Sequence, residues 1–308
     1  MTMSLQQFDP ALRCPRCGQS GRLQLHGGSA ECHACHSSYR AVDGVPILVK
    51  NDVELVRQIE DARRVNPAWY ETEQPPEQTS PWRHHLRKRR LYVQSVLKRE
   101  LAKRGLQRVP RLLDMGCGDG NHLGWLGEFT ENVYGSDYNL VRLARARAHN
   151  ANATLLLGDI LDFPAADDSF DIVFFNHVIE HIPDDMAALR TAMRILAPGG
   201  ILVLGTPNEG AWWWQLAYRR APDVRASTDH VHFYTANMLA DRMRNAGLTI
   251  IKIEHMGWGP PDWQLDGRIR KYKFVDDAFE WFGRRLIPAQ ASSLYVIATK
   301  DAIIESDA

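Results

Sequence analysis

The chain has 308 residues, 44% of them hydrophobic, enough to bury a full core and to argue against wholesale disorder. Lys plus Arg and Asp plus Glu both number 37, and a formal net charge of zero lowers the weight of a nucleic-acid backbone as the main partner. No apolar run reaches the length that spans a bilayer, and the first residues lack the charged-then-apolar pattern of a secretion signal, so a cytoplasmic protein is expected.

Residues 1–50 form a cysteine module. Cys14-Pro15-Arg16-Cys17 and Cys32-His33-Ala34-Cys35 are two C-x2-C knuckles separated by fourteen residues. Two thiolates from each knuckle can meet in a tetrahedron, so Cys14, Cys17, Cys32 and Cys35 are expected to hold a structural zinc ion. A closed four-thiolate site keeps no open position and stabilises the fold instead of catalysing. His26, His33 and His36 are possible substitutes for one thiolate. The module ends in a strand-like run over 45–49. Residues 51–110 read as a polar linker, broken at Gln74-Pro75-Pro76, followed by a helix over about 82–104. That helix carries the basic run His84-His85-Leu86-Arg87-Lys88-Arg89-Arg90, which is either a solvated face or a grip on RNA.

From residue 111 to 308 short apolar strands alternate with amphipathic helices, the mark of a parallel α/β sheet. Strands are expected over 111–115, 132–137, 154–158, 171–176 and 201–206, and helices over 140–149, 184–196 and 236–246. Pro198-Gly199-Gly200 reads as a helix stop. Strands over 249–255 and 293–299 flank an insertion, 257–291, rich in aromatic and basic residues.

The first of these strands runs into Gly116-Cys117-Gly118-Asp119-Gly120. Glycines here permit positive φ and close approach of the backbone to a ligand, and the helix beyond should favour a carboxylate. A G-x-G-x-G turn alone is weak, and nicotinamide enzymes usually show G-x-G-x-x-G. Asp114 beside the turn would repel a pyrophosphate but can pair with the cationic end of an amino-acid cofactor. Asp137 ends the second strand, where a carboxylate can accept both ribose hydroxyls. Asp159 ends the third and can accept from an adenine amino group. Each Asp alone is more often a cap or loop residue.

Taken together these residues resemble the methyltransferase type 11 family of Rossmann-like enzymes. The matching motifs are Leu113 to Gly120, Gly135-Ser136-Asp137, Gly158-Asp159-Ile160, Phe170-Asp171-Ile172-Val173, Val178-Ile179-Glu180-His181-Ile182 and Leu196-Ala197-Pro198-Gly199-Gly200. The resemblance implies a seven-stranded α/β sheet with its last strand, 293–299, antiparallel beside 249–255. It implies S-adenosylmethionine as cofactor, held by Asp114, Gly116, Cys117, Gly118, Asp137, Tyr138, Asp159, Ile160 and Asn176. The cysteine module, through Gly44-Val45-Pro46-Ile47-Leu48, resembles the Trm112-like zinc ribbon.

Methyl transfer asks the protein for proximity, alignment and, where the acceptor loses a proton, a base. His177, Glu180 and His181 would share one face if a helical turn begins there. His181 is the favoured acceptor-side residue, with His177 and His230 behind it; a packed, hydrogen-bonded histidine is the alternative. The triple is similar to the Glu-x-x-Glu-His cluster of ubiquinone-pathway O-methyltransferases, linked to a divalent metal, but His177 replaces the first Glu. His230 and His232 would point to one side of an extended segment ahead of a helix capped by Thr235. Trp212-Trp213-Trp214 either wall an acceptor or pack on the core, and Trp258 and Trp263 are candidates for a lid. The expected activity is O-methylation of a small-molecule, saccharide or lipid-linked acceptor. An RNA methyltransferase gripping its substrate through the zinc ribbon and the basic helix is the second reading, and a non-catalytic adapter the third.

Overall fold

The computed structural model describes residues 9–301, apart from 27–28, 66, 222, 224–228 and 261. The side chains of 62, 65, 68, 69 and 263 lie outside what is described, and with them the expected lid residue Trp263. The chain divides into two compact units. One holds residues up to 74, 108–174 and 191–200; the other holds 75–107, 175–190 and 201 onward.

The first unit opens with β1 (Leu23–His26), β2 (Ser29–Cys32) and β3 (Ser38–Tyr39), a small antiparallel sheet that carries the cysteine knuckles. A hairpin follows, β4 (Ala41–Val42) and β5 (Val45–Leu48). Then come α1 (Asp52–Val65) and α2 (Pro67–Glu71), two helices where the sequence reads as linker. Their pattern is hard to read because charged residues dominate, yet Ile59 and Tyr70 are buried. In the second unit α3 (Arg83–Ala102) is the expected long helix.

The glycine turn follows β6 (Val109–Met115), and the neighbouring strands are β7 (Thr130–Ser136), β8 (Thr154–Gly158) and β9 (Phe170–Asn176). Between them lie the short α4 (Leu123–Leu126) and α5 (Leu140–His149), the latter capped by the Asn139 side chain accepting from Val141 and Arg142 N–H. Within the first unit the strand order is β9-β6-β7-β8-β5-β4, parallel except for the β4–β5 hairpin. Near-continuous apolar runs in β8 and β9 suit strands covered on both faces.

The cysteine module is therefore continuous with the parallel sheet: Ile47 and Leu48 of β5 pair with Leu157 and Gly158 of β8. Val45, Ile47, Val49, Ile59, Tyr70, Leu143, Leu155 and Leu157 share one cluster of buried side chains with Cys117 and Leu123 of the glycine turn. Tyr134 also donates its hydroxyl to Asp9, and Ala166 N–H donates to Ala11 O.

The chain continues through α6 (Asp185–Ile195) into β10 (Leu196–Pro207), which starts at the predicted stop signal itself, since Gly199 at φ 73° bends the chain without ending the strand. The second unit then adds α7 (Trp212–Arg220), α8 (Ala236–Asn245), β11 (Thr249–Met256), α9 (Trp263–Arg270), α10 (Lys273–Leu286) and β12 (Ser293–Thr299). β12 lies antiparallel between β10 and β11, the expected reversed strand. The insertion is a pair of helices. Trp258 is buried within the second unit and donates its indole N–H to Ile287 O, so it is a packing residue and not a lid. No helix among the described residues is long and apolar enough to cross a membrane.

Ile47 is fully buried on a strand distant in sequence from its partner. Ile47→Ala should cost about 3 kcal/mol in a urea unfolding experiment, the usual penalty for truncating a packed core aliphatic. A loss below roughly 1 kcal/mol would mean β5 is not part of the shared core.

Candidate functional site

The first unit contains the glycine turn and three acids at successive strand ends. Gly116 at φ 86° takes a left-handed backbone that L side chains avoid. Gly116 and Cys117 N–H both donate to Ser136 O, at 2.7 and 2.9 Å, tying the turn to the end of β7. Gly120 serves packing: a Cβ there would stand 2.6 Å from Asn150 Nδ2 and 2.9 Å from Ala146 Cβ. The Cys117 thiol is packed in the core. The helix after the turn, α4, has only 4 residues, so the expected dipole-bearing N-terminus for a carboxylate is not formed; too few peptides align.

Asp137 is anchored from both sides. Its Oδ2 accepts Gly118 N–H and its Oδ1 accepts Asn139 N–H, each at 2.8 Å. Burial nevertheless raises its pKa above the ordinary carboxylate value against those two bonds. Asp114 sits on the adjacent strand and is 1% exposed. Its Oδ2 is buried and has no hydrogen-bond partner among the described residues; His122 Nδ1 lies 3.9 Å away. Burial first, and then the charge of Asp137, hold the Asp114 carboxyl well above its usual range. Such a group fits a cationic ligand group and opposes a pyrophosphate.

Asp159 takes the cap role: its Oδ1 accepts Leu161 N–H at 2.9 Å and opens the single turn that begins at Ile160. Tyr138 is half-buried nearby, its hydroxyl pushed up to about 12 by burial and by neighbouring Tyr70 and Asp159. Asn176 belongs to the second unit. Its Oδ1 is buried without a hydrogen-bond partner among the described residues, and a Cβ on Gly205 would come 2.2 Å from it.

Sequence reasoning missed the segment beneath α2. Gln74 N–H donates to Asp119 Oδ2 at 2.9 Å, Asn121 donates to Gln74 O, and Asn139 Nδ2 donates to Tyr70 O. The supposed linker therefore braces the glycine turn. Only Asp119 within the turn hinted at a partner.

The second unit contains the histidines. His177 stands at φ 56°, a strained position for a non-glycine residue, with its N–H donated to Gly205 O. No helical turn starts there; a single 3-10 turn, Ile179–His181, follows instead. Arg89 donates toward His177 Nε2 at 3.3 Å, which leaves the ring proton on Nδ1, 3.4 Å from Glu180 Oε1. Glu180 Oε2 accepts from Thr206 at 3.0 Å. Burial would raise the pKa of Glu180, but the His177 hydrogen bond and charge outweigh it and bring it below the ordinary value.

His181 Nδ1 lies 3.0 Å from Asp229 O, and its ring meets His230 edge-on at 4.9 Å between centroids. Glu180, His181 and His230 bring one oxygen and two nitrogens within 4.8 Å of one another, so the set with metal-ligating geometry includes His230 and omits His177. His232 diverges from His230: its ring stacks on Tyr234 and its Nε2 lies 3.1 Å from Pro183 O. Thr235 caps α8, accepting from Met238 N–H. Of the three tryptophans Trp214 is buried, Trp212 is exposed, and the indole N–H of Trp213 is buried without a hydrogen-bond partner among the described residues.

The basic run of α3 turns inward. Lys88 pairs with Asp276 and Asp277, Arg89 donates to Ser293, Arg90 pairs with Glu77, and His85 is buried.

The four knuckle cysteines place their sulfurs within 4.8 Å of one another, and this cluster can bind zinc. Tyr39 hydroxyl stands 2.9 Å from Cys14 Sγ, and Ser37 lies 3.2 Å from Cys35 Sγ, the polar surroundings that orient thiolate ligands.

Comparison with known proteins places this geometry. A protein of Mycolicibacterium smegmatis described as a probable S-adenosylmethionine-dependent methyltransferase is 27% identical over 139 residues, 45% of this chain and 52% of that one. A ubiquinone biosynthesis O-methyltransferase of Cereibacter sphaeroides is 30% identical over 162 residues, 50% of this chain and 66% of that one. The chain thus spans about half to two thirds of the length of these relatives. A chain of the solved complex between the Haloferax volcanii Trm112 methyltransferase activator and a methyltransferase shares the fold, with a TM-score of 0.50 and 19% identity over 80% of this chain and 98% of that one. The family model described as methyltransferase domain matches residues 82–253, more than half of the chain. The chain belongs to the methyltransferase-domain family, on a Rossmann-like α/β architecture.

Proposed function

We propose that the protein is an S-adenosylmethionine-dependent methyltransferase that methylates a hydroxyl of a small-molecule, saccharide or lipid-linked acceptor. The observation that carries the cofactor half is the buried, unmatched carboxylate of Asp114. Bound S-adenosylmethionine supplies a methyl carbon activated by its sulfonium. Asp114 would meet the cationic end of the cofactor, beside the backbone of Gly116, Cys117 and Gly118. Asp137 would accept the ribose hydroxyls on lone pairs beyond its two backbone bonds, with Tyr138, Asp159 and Ile160 toward the base.

The acceptor half rests on His181. A carbonyl only accepts, so the contact with Asp229 O keeps the ring proton on Nδ1 and makes Nε2 the basic nitrogen. His181 Nε2 would accept the proton that the acceptor hydroxyl loses. His177 is a positioning residue through Glu180, and His230 supports the ring of His181 from its edge. The ubiquinone-pathway relative supports oxygen as the receiving atom. The inward pairing of Lys88, Arg89 and Arg90 takes three cations of the basic run away from an RNA grip.

Calorimetry with S-adenosylhomocysteine tests the cofactor half. Asp137→Ala should weaken binding at least about tenfold, the loss expected for a charge-assisted hydrogen bond. Undiminished binding would refute the reading. Burial raises the pKa of Asp114, so below that raised pKa a cation bound there would have to displace a proton. Affinity should therefore rise as pH increases through that raised pKa, and Asp114→Asn should flatten this dependence. The stability sign is opposite: a carboxyl with a raised folded pKa destabilises the free protein as pH climbs from the unfolded pKa to the raised one, so Asp114→Asn should lose less stability over that rise.

We also propose a structural zinc ion on Cys14, Cys17, Cys32 and Cys35. Elemental analysis should find one zinc per chain, and Cys32→Ser should lose it and lower the melting temperature of the whole first unit, whose core the module shares. Full stability without metal would remove the assignment.

A further inference from the structure

Helix α10 is built the wrong way round for a surface helix. At 3.6 residues per turn, Phe274, Ala278, Trp281, Phe282 and Arg285 share one side, opposite Asp276 and Gly283. Asp276 is buried in ion pairs with Lys88 and Arg270, and Gly283 is packed so tightly that a Cβ would overlap the Trp258 ring. The polar and small residues thus face inward. Phe274 is 74% exposed, Trp281 50%, Phe282 54% and Leu286, at the end of the helix, 69%. A run of exposed large aromatics is a surface that water does not favour and that a partner must cover.

Charge identifies the partner. Across α9, α10 and the link between them, Arg268, Lys271, Lys273 and Arg285 are exposed, whereas Asp266 and Asp276 are buried. Asp277 is held by Lys88 and Lys273, and Glu280 by Arg284. The Arg285 guanidinium lies 4.5 Å from the Trp281 ring centroid, and Lys271 Nζ lies 5.1 Å from that of Tyr272. Tyr272 in turn meets Phe274. Aromatic rings with cations alongside are the composition of helices that rest in the headgroup layer of a bilayer. A second copy of this chain would bring the same cations together and is disfavoured.

A second observation lies at the near end of the same face. An open cavity of about 640 Å³ is lined by Trp82, Arg83, Gln264, Arg268 and Lys271, with three cations and no carboxylate residue in its lining. Arg83 is fixed by donating to Lys271 O, and the Trp82 indole by donating to Asp266. This cavity suits a phosphate group, and Lys271 belongs both to it and to the aromatic face.

We propose that the second unit docks peripherally on an anionic phospholipid surface, with the outward face of α10 in the headgroup layer and a lipid phosphate in the Arg83–Arg268–Lys271 cavity. The proposal does not rest on methyl transfer, and its test uses no enzymatic readout.

The test is co-sedimentation of the full chain with vesicles of phosphatidylcholine, with and without phosphatidylglycerol. Binding should require phosphatidylglycerol and weaken at high salt. The triple variant Phe274→Ser, Trp281→Ser, Phe282→Ser and the double variant Arg268→Glu, Lys271→Glu should each lose about tenfold in partitioning, since apolar burial and cations near the surface both contribute. The substituted side chains are solvent-facing, and an unchanged melting temperature checks that each variant folds. Absence of vesicle binding, equal binding to phosphatidylcholine alone, or binding undiminished in both variants overturns the proposal. So does self-association abolished by the triple variant, which would assign the face to a second copy. Saturable binding of inorganic phosphate without vesicle binding would make the cavity a site for soluble phosphate and likewise overturn it.

Discussion

Two carboxylates buried at the ends of neighbouring parallel strands set the character of the first unit. Burial and then the Asp137 charge raise the cost of ionising Asp114, and only Asp137 is compensated by backbone N–H groups. A fold does not keep an uncompensated buried carboxylate for stability, because an unpaired charge away from water is among the most expensive features a core can hold. This is the feature on which the proposal of a cationic ligand at Asp114 rests. Gly116, the link from Gly118 to Asp137 and the brace from Gln74 to Asp119 shape the backbone around that point. Desolvation is concentrated there.

The strands from residue 109 on were legible because each is a short run closed by a turn residue, and their bounds differ from the reading by at most five residues. β8, β12 and the α5 helix agree to the residue. The glycine turn and its acids were legible for the same reason: they are local in sequence. What escaped was non-local. Nothing in Val45–Leu48 announces β8 as its partner, and nothing in 51–74 tells that a charged stretch folds into α1 and α2 and braces the glycine turn. The spacing of His177, Glu180 and His181 suggested one helical face, but the left-handed backbone at His177 breaks that period. The approach of His230 to His181 depends on the loop after residue 229 folding back, with Val231 and His232 N–H both donating to Glu180 O. Periodicity cannot register such a return.

The second unit shows how polar residues can organise an interior. Arg270 joins Asp266 and Asp276 and donates to Trp258 O, and Lys88 extends the same network from α3. Buried ion pairs of this kind add little net stability compared with apolar packing, but removing one partner is costly. They impose a single docking geometry on the two helices of the insertion. Apolar residues of α10 are thereby left to the outside, so its amphipathic pattern, read alone, assigns the wrong side to the interior.

The pairing of β5 with β8 has a consequence for the order in which the chain becomes structured. As a ribosome delivers the chain, both cysteine knuckles and β5 emerge about a hundred residues before the strand that receives them. Any ordering of the knuckles at that stage precedes the contact that anchors them. The exposed backbone of β5 must meanwhile wait, a strand edge able to pair wrongly. A thiolate-bound ion would keep this early segment compact through that interval, so its loss would lower the folding yield as well as the stability of the finished molecule.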